Sequence, residues 1–447
     1  MQVDQWMMFS TFAEQRFFAH PTKRSIKGVV VNANMVAHAP DGLAAFLMER
    51  TANTPYIIDP QTHAFQHNPK AIRNSEGKIK SSLFSLSEHF GEPISSCVSK
   101  SQPLKPSNFA DNKLLNEFVI RCLEFQRSAL SEVMASSEAN KYLGQTQKQL
   151  EPCALLSPYF YIAENTAQDW LPICLRLAKA AADFKNHNKL FIPLVLSKAA
   201  LVRPKIREYI LSHFTDIACD GFTIWIDDLN EHVTSSTLLK QFFDFATGLR
   251  ANNKKQVINL HGGYFSILAG SALGGGAFSG VSHGPEFGEF RSVVPVGGGI
   301  PIARYYIPQL HARIRYREAL DMFKRNGWLS SAKEFHHSVC ACDTCKEVID
   351  GNPDNFVNFG TSNSKLVRRG DGFARVDFPT TEAKENCLKH YLERKHYEYH
   401  SSSKSADVLI ADLKKGISDF ETAFGADTVD HLRTWLSVFR PEPGLNF

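Results

Sequence analysis

Three cysteines fall within six residues, in Cys340-Ala341-Cys342-Asp343-Thr344-Cys345. Thiolates two and three residues apart can wrap one ion from a single turn of chain, and zinc takes four such ligands tetrahedrally. With nine cysteines in the whole chain, three this close together point to a metal. The fourth ligand must come from elsewhere. His390, His396, His400 and Cys387 lie downstream, and His336 and His337 lie just upstream. A site filled by four protein ligands is structural, so the motif predicts a zinc that does no chemistry itself.

A second set of residues follows short apolar runs. Asp59 follows Ile57-Ile58, Asp227 and Asp228 follow Trp225-Ile226, His261 precedes Gly262-Gly263, and Ser282-His283 leads to Gly284-Pro285-Glu286. Several carboxylates facing one mouth suit glycosidic-bond chemistry. One attacks or stabilises an oxocarbenium-like centre while another moves protons. Gly262 and Gly263 let the backbone approach a planar ligand or a phosphate closely. Blander roles stay open: Asp59 before Pro60 suits a turn cap, and one of Asp227 and Asp228 suits a helix cap.

These residues need elements to hold them. Apolar, β-rich runs at 28–35, 55–58, 154–162, 190–196, 221–226, 256–260, 278–281 and 303–307 predict eight strands. Amphipathic helical stretches lie between them, at 42–51, 167–184, 204–217 and 236–250. Eight alternating units favour an α/β fold, a (β/α)8 TIM-like barrel, over an open doubly wound sheet, and no GxGxxG follows the first strand. On this numbering Asp59 ends the second strand, Asp227 and Asp228 the fifth, His261 the sixth and Ser282-His283 the seventh. Catalytic groups of such barrels lie beyond the C-terminal strand ends.

Residues 66–150 interrupt the alternation and read as an insertion after the second strand, which either shapes the mouth or is a surface excursion. It carries the basic residues Lys70, Arg73, Lys78 and Lys80, with Phe84 and Phe90 beside them. A second basic cluster is Lys365, Arg368 and Arg369. The expected division is a catalytic barrel over 1–325 and a zinc-binding, helical C-terminal subdomain over 326–447. Net charge is only +4, which permits a nucleic-acid partner without requiring one. No run of about 18 apolar residues predicts a membrane span. The start Met1-Gln2-Val3-Asp4 and the scattered cysteines suit a reducing cytoplasm.

A barrel followed by a CxCxxC motif and a late histidine resembles the tRNA-guanine transglycosylase superfamily, most clearly over 303–392. Ala303-Arg304-Tyr305-Tyr306-Ile307-Pro308 looks like its last barrel strand, and His390-Tyr391-Leu392 matches the H-x-L that carries its fourth zinc ligand. His400 is the rival. The family's Asp-Ser-Gly-Gly-Phe-Gln segment survives in degraded form from Asp59 to Gln66, without the glycine pair. That match implies Asp59 as general base or stabilising carboxylate and Gln66 as a base reader. The family's nucleophilic aspartate and Pro-Thr-Arg motif are absent, with Ser282, His283 and Glu286 in that region and Asp227 and Asp228 two strands earlier.

These departures resemble the DNA-guanine transglycosylases of the DpdA type, which insert 7-cyano-7-deazaguanine. The resemblance implies a pentosyltransferase that exchanges guanine in DNA through a covalent Asp-linked intermediate. Asp59, Asp227 and Asp228 would be catalytic; Gln66, His261, Gly262, Gly263, His283 and Glu286 would bind substrate. Cys340, Cys342, Cys345 and His390 would hold structural zinc. The partners implied are DNA and a 7-deazaguanine base, with room for an ATP-dependent protein. The alternatives are a tRNA enzyme and an inactive nucleic-acid-binding paralogue.

Overall fold

The computed structural model describes residues 2–9, 18, 26–49, 54–67, 73–74, 76–136, 150–250, 254–285, 288–294, 302–369 and 372–440. Its main sheet is parallel. In chain order the strands are β1 (Asp4–Phe9), β2 (Gly28–Asn32), β3 (Tyr56–Asp59), β4 (Leu155–Leu156), β5 (Tyr161–Ile162), β6 (Leu190–Leu196), β7 (Gly221–Ile226), β8 (Gln256–Asn259) and β9 (Gly280–His283). They neighbour one another in the order β3-β2-β1-β9-β8-β7-β6-β4, and β5 extends the β4 position along β6. The two ends nearly meet, because the amide of Cys153, just before β4, donates to the Tyr56 carbonyl of β3 at 2.9 Å. The result is a nearly closed eight-position barrel.

Neighbouring parallel strands in register point paired residues to the same side. Trp6 pairs with Gly28 and Ser282, Val30 with Ile57, Asn32 with Asp59, and Val195 with Trp225. Trp6, Met8, Val30, Ile57, Leu156, Phe191, Trp225 and Ile258 form one apolar cluster, the barrel interior. The alternate positions join the larger outer core beneath the helices. A Cβ on Gly28 would stand 2.2 Å from the Trp6 ring, and one on Gly280 2.9 Å from it. The indole thus plugs the floor of the barrel and requires glycine on both flanking strands.

Two strand expectations change. Asp4–Phe9 is the first barrel strand, which shifts every later ordinal by one. Asp59 therefore ends the third strand and the insertion follows it. Gln5–Phe9 is buried on both faces, so it lacks the alternation that marks a strand in sequence. Residues 303–307 do form a strand, β10 (Arg304–Ile307), but it pairs antiparallel with β11 (Ala312–Arg315) outside the barrel.

The insertion is not only an excursion. Its long helix Asn112–Ser136 buries Leu115, Phe118, Val119, Cys122 and Leu123 in the outer core. Gln126 clamps the backbone of Leu156, donating to its carbonyl and accepting from its amide, both at 2.8 Å. This helix covers the barrel where a helix after β3 belongs. Phe90 lies in that core against Phe118 and Phe125, while Phe84 is exposed. Lys70 lies outside the described residues.

Beyond β11 the chain forms a largely helical region with one further hairpin, β12 (Ser362–Arg369) and β13 (Gly372–Pro379). The Thr381–Ser401 helix packs on the barrel, with the Tyr399 hydroxyl donating to the Val281 carbonyl at 2.9 Å. The last helix among the described residues, Asp430–Phe439, returns to the barrel helix Ser236–Leu249, where Phe439 meets Phe243. Among the described residues no helix is long and apolar enough to cross a membrane.

Candidate active site and metal centre

Cys340 ends a turn after the Ala332–Ser338 helix, Cys342 caps the Asp343–Ile349 helix, and Cys345 lies in its first turn. His390 reaches them from the middle of Thr381–Ser401. All four ligand atoms lie within 4.8 Å of one another. His390 Nδ1 is 3.2 Å from Cys342 Sγ and 3.3 Å from Cys345 Sγ. Tetrahedral zinc with sulfur at about 2.3 Å and nitrogen at about 2.0 Å would separate such pairs by roughly 3.6 Å, so small adjustments suffice. His390 Nε2–H donates to the Tyr306 carbonyl at 2.7 Å, which fixes the tautomer that leaves Nδ1 free to ligate. The Tyr305 ring stacks on the imidazole at 4.3 Å, and its hydroxyl lies 3.1 Å from Cys345 Sγ.

This cluster can therefore hold a metal ion, and its sulfur-rich donor set suits a structural zinc site. His400 is exposed, His336 is turned to the Cys340 carbonyl, and Cys387 donates to Phe359. The rivals of His390 are elsewhere.

One turn beyond His390 the same helix carries Lys395, fully buried. Its ammonium lies 2.7 Å from Glu289 and 2.9 Å from Glu398. Glu398 also accepts from His311 Nδ1 at 2.6 Å and from the Tyr306 hydroxyl, and Tyr391 donates to Glu289 at 2.9 Å. Burial alone would raise the Glu398 carboxyl, but the Lys395 charge, His311 and the Tyr306 hydroxyl together hold it down at about 2. This network ties the helix that carries His390 to the loop after β9. Removing one charge from a buried set leaves the others uncompensated. Lys395→Met is therefore expected to cost about 3–5 kcal/mol, read as a lower urea midpoint at unchanged slope. An unmoved midpoint would contradict the assignment.

Glu231 is buried nearby and accepts from the Ser266 hydroxyl at 2.5 Å. Burial pushes its carboxyl up to about 7. The raised acid contributes stability below its unfolded value near 4.5, and that contribution is lost as pH rises through 7. Glu231→Gln has no such proton to lose. Wild type should thus lose up to about 3 kcal/mol relative to the variant between pH 4.5 and 7.5. Paired urea titrations across that range check it, and parallel curves would contradict it. Gly263 faces the same pair of acids, since a Cβ there would lie 2.8 Å from Glu231 and 3.0 Å from Glu289. Gly262 donates to the Ser282 carbonyl at 3.0 Å. These glycines serve close packing at the end of β8.

The mouth at the C-terminal strand ends holds a different chemistry. Asp59 is buried there and accepts from the Tyr159 hydroxyl at 2.7 Å and the Gln61 amide at 3.0 Å. Burial raises its carboxyl above the ordinary range, opposed by those two bonds and by the Arg291 charge. Asp227, half-buried, accepts from the Tyr161 hydroxyl at 2.8 Å and the Val293 amide at 2.8 Å. Tyr159 and Tyr161 stand two residues apart, so one stretch of chain positions both carboxylates. Segment 288–294 folds over the mouth. Val293 joins the interior cluster, and the Arg291 carbonyl accepts from Trp225 Nε1 at 2.9 Å.

Three buried histidines complete the mouth. The His63 ring stacks on Tyr159 at 5.3 Å and meets Trp225 edge-on at 5.2 Å. His67 lies 5.9 Å from His63. His261 lies 4.8 Å from Trp225 and hydrogen-bonds the Gly288 carbonyl through Nδ1 at 3.1 Å. Burial pushes His261 down to about 3 and His63 well below its usual value, so both are neutral. Among the described residues, His63 Nδ1, His67 Nε2 and His261 Nε2 find no hydrogen-bond partner, and neither do Asn32 Oδ1, Thr223 Oγ1 and Ser282 Oγ. Buried polar atoms are normally satisfied, so this concentration marks a place built to meet water or a ligand.

Other expected site residues fall elsewhere. Asp228 sits exposed on the rim at φ +52°, 3.8 Å from Lys198. Gln66 spends its amide on the Tyr161 backbone, donating to the carbonyl at 3.2 Å and accepting from the amide at 2.6 Å. It thereby positions Tyr161, with one N–H and one lone pair of the amide remaining. His283 belongs to the outer face of β9, bonded to Gln5 at 3.1 Å and the Gly284 carbonyl at 2.9 Å. Glu286 lies outside the described residues. Sequence reasoning overlooked Tyr159, Tyr161, Trp225, His63, His67 and Arg291. The i, i+4 spacing of His63 and His67 directly after the Asp59 strand was the available signal.

No protein-family model matches the chain, and no curated protein does. Solved structures similar to it include a GH10 endoxylanase from a sugarcane soil metagenome, 8% identical over 59% of this chain and 67% of that one, with a TM-score of 0.31. The 3-dehydroquinate dehydratase of Aquifex aeolicus VF5 is 9% identical over 65% and 94%, with a TM-score of 0.29. The carboxyl transferase domain of Rhizobium etli pyruvate carboxylase is 8% identical over 98% and 56%, with a TM-score of 0.32. Likenesses this distant carry no argument about function, and the barrel stands on its own strand order.

Proposed function

We propose that this chain is a pentosyltransferase that replaces guanine in DNA with 7-cyano-7-deazaguanine through a covalent Asp-linked intermediate. The observation that carries the reading is the pair of mouth carboxylates, Asp59 and Asp227, held in unlike surroundings by Tyr159 and Tyr161. Asp59 is buried with a raised proton affinity, which suits an acid–base group. Asp227 is half-buried and fixed by two donors, which suits a nucleophile. A C-terminal region after the barrel whose three cysteines and His390 can hold a metal supports the family resemblance.

In the proposed reaction an Asp227 oxygen attacks C1′ of a guanine nucleotide flipped into the mouth. The C1′–N9 bond breaks, its electron pair stays on N9, and the Asp59 carboxyl protonates the departing base. The incoming deazaguanine gives its ring N–H proton to Asp59 and attacks C1′. The C1′–O bond then breaks and restores the Asp227 carboxylate. In this reading the neutral imidazoles of His63 and His261 and the Trp225 face, which lie together, hold the planar base. We read the Cys340, Cys342, Cys345 and His390 metal as zinc, a cross-link between the Thr381–Ser401 helix and the cysteine turn, with no open position for substrate.

The test is exchange of labelled guanine into single-stranded DNA and into tRNA by the purified protein. Label in DNA supports the reading. Label only in tRNA moves the activity to the other polymer, and label in neither, with intact metal and fold, points to a binding protein instead.

A further inference from the structure

The hairpin β12–β13 takes no part in either site. Its strands pair from Ser362 opposite Pro379 to Arg369 opposite Gly372. At about 3.3 Å per residue the ribbon is roughly 26 Å long. Its base is fixed by the Thr361 and Thr380 hydroxyls at 2.7 Å and by the Thr380 amide donating to the Thr361 carbonyl at 2.9 Å.

Alternation separates its two faces. Val367, Ala374, Val376 and Phe378 share the half-buried face. The other face carries Ser364, Leu366, Arg368, Phe373, Arg375 and Asp377, all exposed. There Arg368 stands opposite Phe373, and Leu366 opposite Arg375. Phe373 is 70% exposed and Leu366 64%, an unusual outlay of apolar surface on a two-stranded ribbon.

The charge indicates what covers it. Arg368 and Arg375 are exposed on this face, Lys365 lies on the opposite one over the Phe378 ring, and the acid among the ribbon's described residues is Asp377, 3.5 Å from Arg317. Among the described residues no carboxylate pairs with Arg368 or Arg375. Cations alternating with apolar wedges match a polyanion with stacked bases. Arginine fixes such ribbons to phosphates, and an inserted aromatic or leucine parts a base step.

We propose that β12–β13 docks on duplex DNA, Arg368 and Arg375 binding phosphates while Phe373 and Leu366 press between base steps. This rests on reading the chain as acting on DNA. It supplies a means of loosening a duplex whose C1′ is otherwise shielded from the mouth.

The full-length, metal-loaded protein is titrated into a fluorescent mixed-sequence duplex at several salt concentrations. Arg368→Glu/Arg375→Glu should bind at least about tenfold more weakly, with a log–log salt slope shallower by about 2. Phe373→Ser should bind within about threefold of wild type yet lose the rise in fluorescence of a 2-aminopurine, which reports unstacking. Unchanged metal content and melting temperature verify the fold. Equal affinity and slope in the double variant would overturn the proposal. So would a wild-type dimer that the double variant makes monomeric with duplex binding intact, since the ribbon's partner would then be a second copy. Exchange on single-stranded DNA is read separately. If it is absent while arginine-dependent duplex binding persists, the proposed reaction fails and the ribbon assignment stands.

Discussion

Under the proposed reaction, Asp227→Ala is expected to abolish guanine exchange for practical purposes, a loss of about four orders of magnitude or roughly 5 kcal/mol of transition-state stabilisation. The reason is structural. The Tyr161 hydroxyl and the Val293 amide each hold an Asp227 oxygen, so the carboxylate is preorganised on the mouth. Asp59→Asn keeps the bond from Tyr159 but cannot take or return a proton. It should fall by about two to four orders, with the larger loss in kcat. Asp228→Ala should stay within about threefold, because Asp228 lies on the rim beside Lys198. Exchange rates of the three variants at saturating DNA check the ordering. If Asp228→Ala were the dead variant, the division between mouth and rim would be wrong.

The second large effect concerns the metal. Cys345→Ser removes a fully buried ligand that also contacts the Tyr305 hydroxyl. Metal content should fall from one ion per chain to near none. Structural zinc contributes on the order of 10 kcal/mol in small domains, so loss of the ion should unfold the C-terminal region at temperatures where the barrel persists. Prolonged chelation of wild type should produce the same early transition. Elemental analysis with thermal scans measures both, and full metal retention in Cys345→Ser would exclude that cysteine as a ligand. The coupling reaches further, because His390 and Lys395 share one helix and Lys395 holds the loop after β9 through Glu289.

What the sequence revealed follows from how local each signal is. The cysteine cluster was legible because its three ligands share six residues, and His390 because His390-Tyr391-Leu392 matches the H-x-L sequence. Asp59 and Asp227 were legible as the polar residues that end apolar strands. Asp4–Phe9 was not, because a strand buried on both faces shows no alternation, and Gln5 within it is satisfied by His283 far along the chain. Residues 303–307 carry the right strand chemistry, but no local property distinguishes a barrel partner from a hairpin partner. Gln66 lay where a base reader was expected, yet its amide serves the Tyr161 backbone. The ion network of Glu289, Lys395, Glu398 and His311 joins separate segments and has no sequence signature. Pattern gave the parts, and long-range contact decided their duties.

The covalent intermediate is the most direct measurement. The protein is incubated with a guanine-containing single-stranded oligonucleotide without incoming base, denatured, and its intact mass recorded. The proposed chemistry predicts an adduct equal to protein plus oligonucleotide less guanine, attached at Asp227 on peptide mapping and absent from Asp227→Ala. Active exchange with no adduct under any quench, or an adduct that persists in Asp227→Ala, would contradict it.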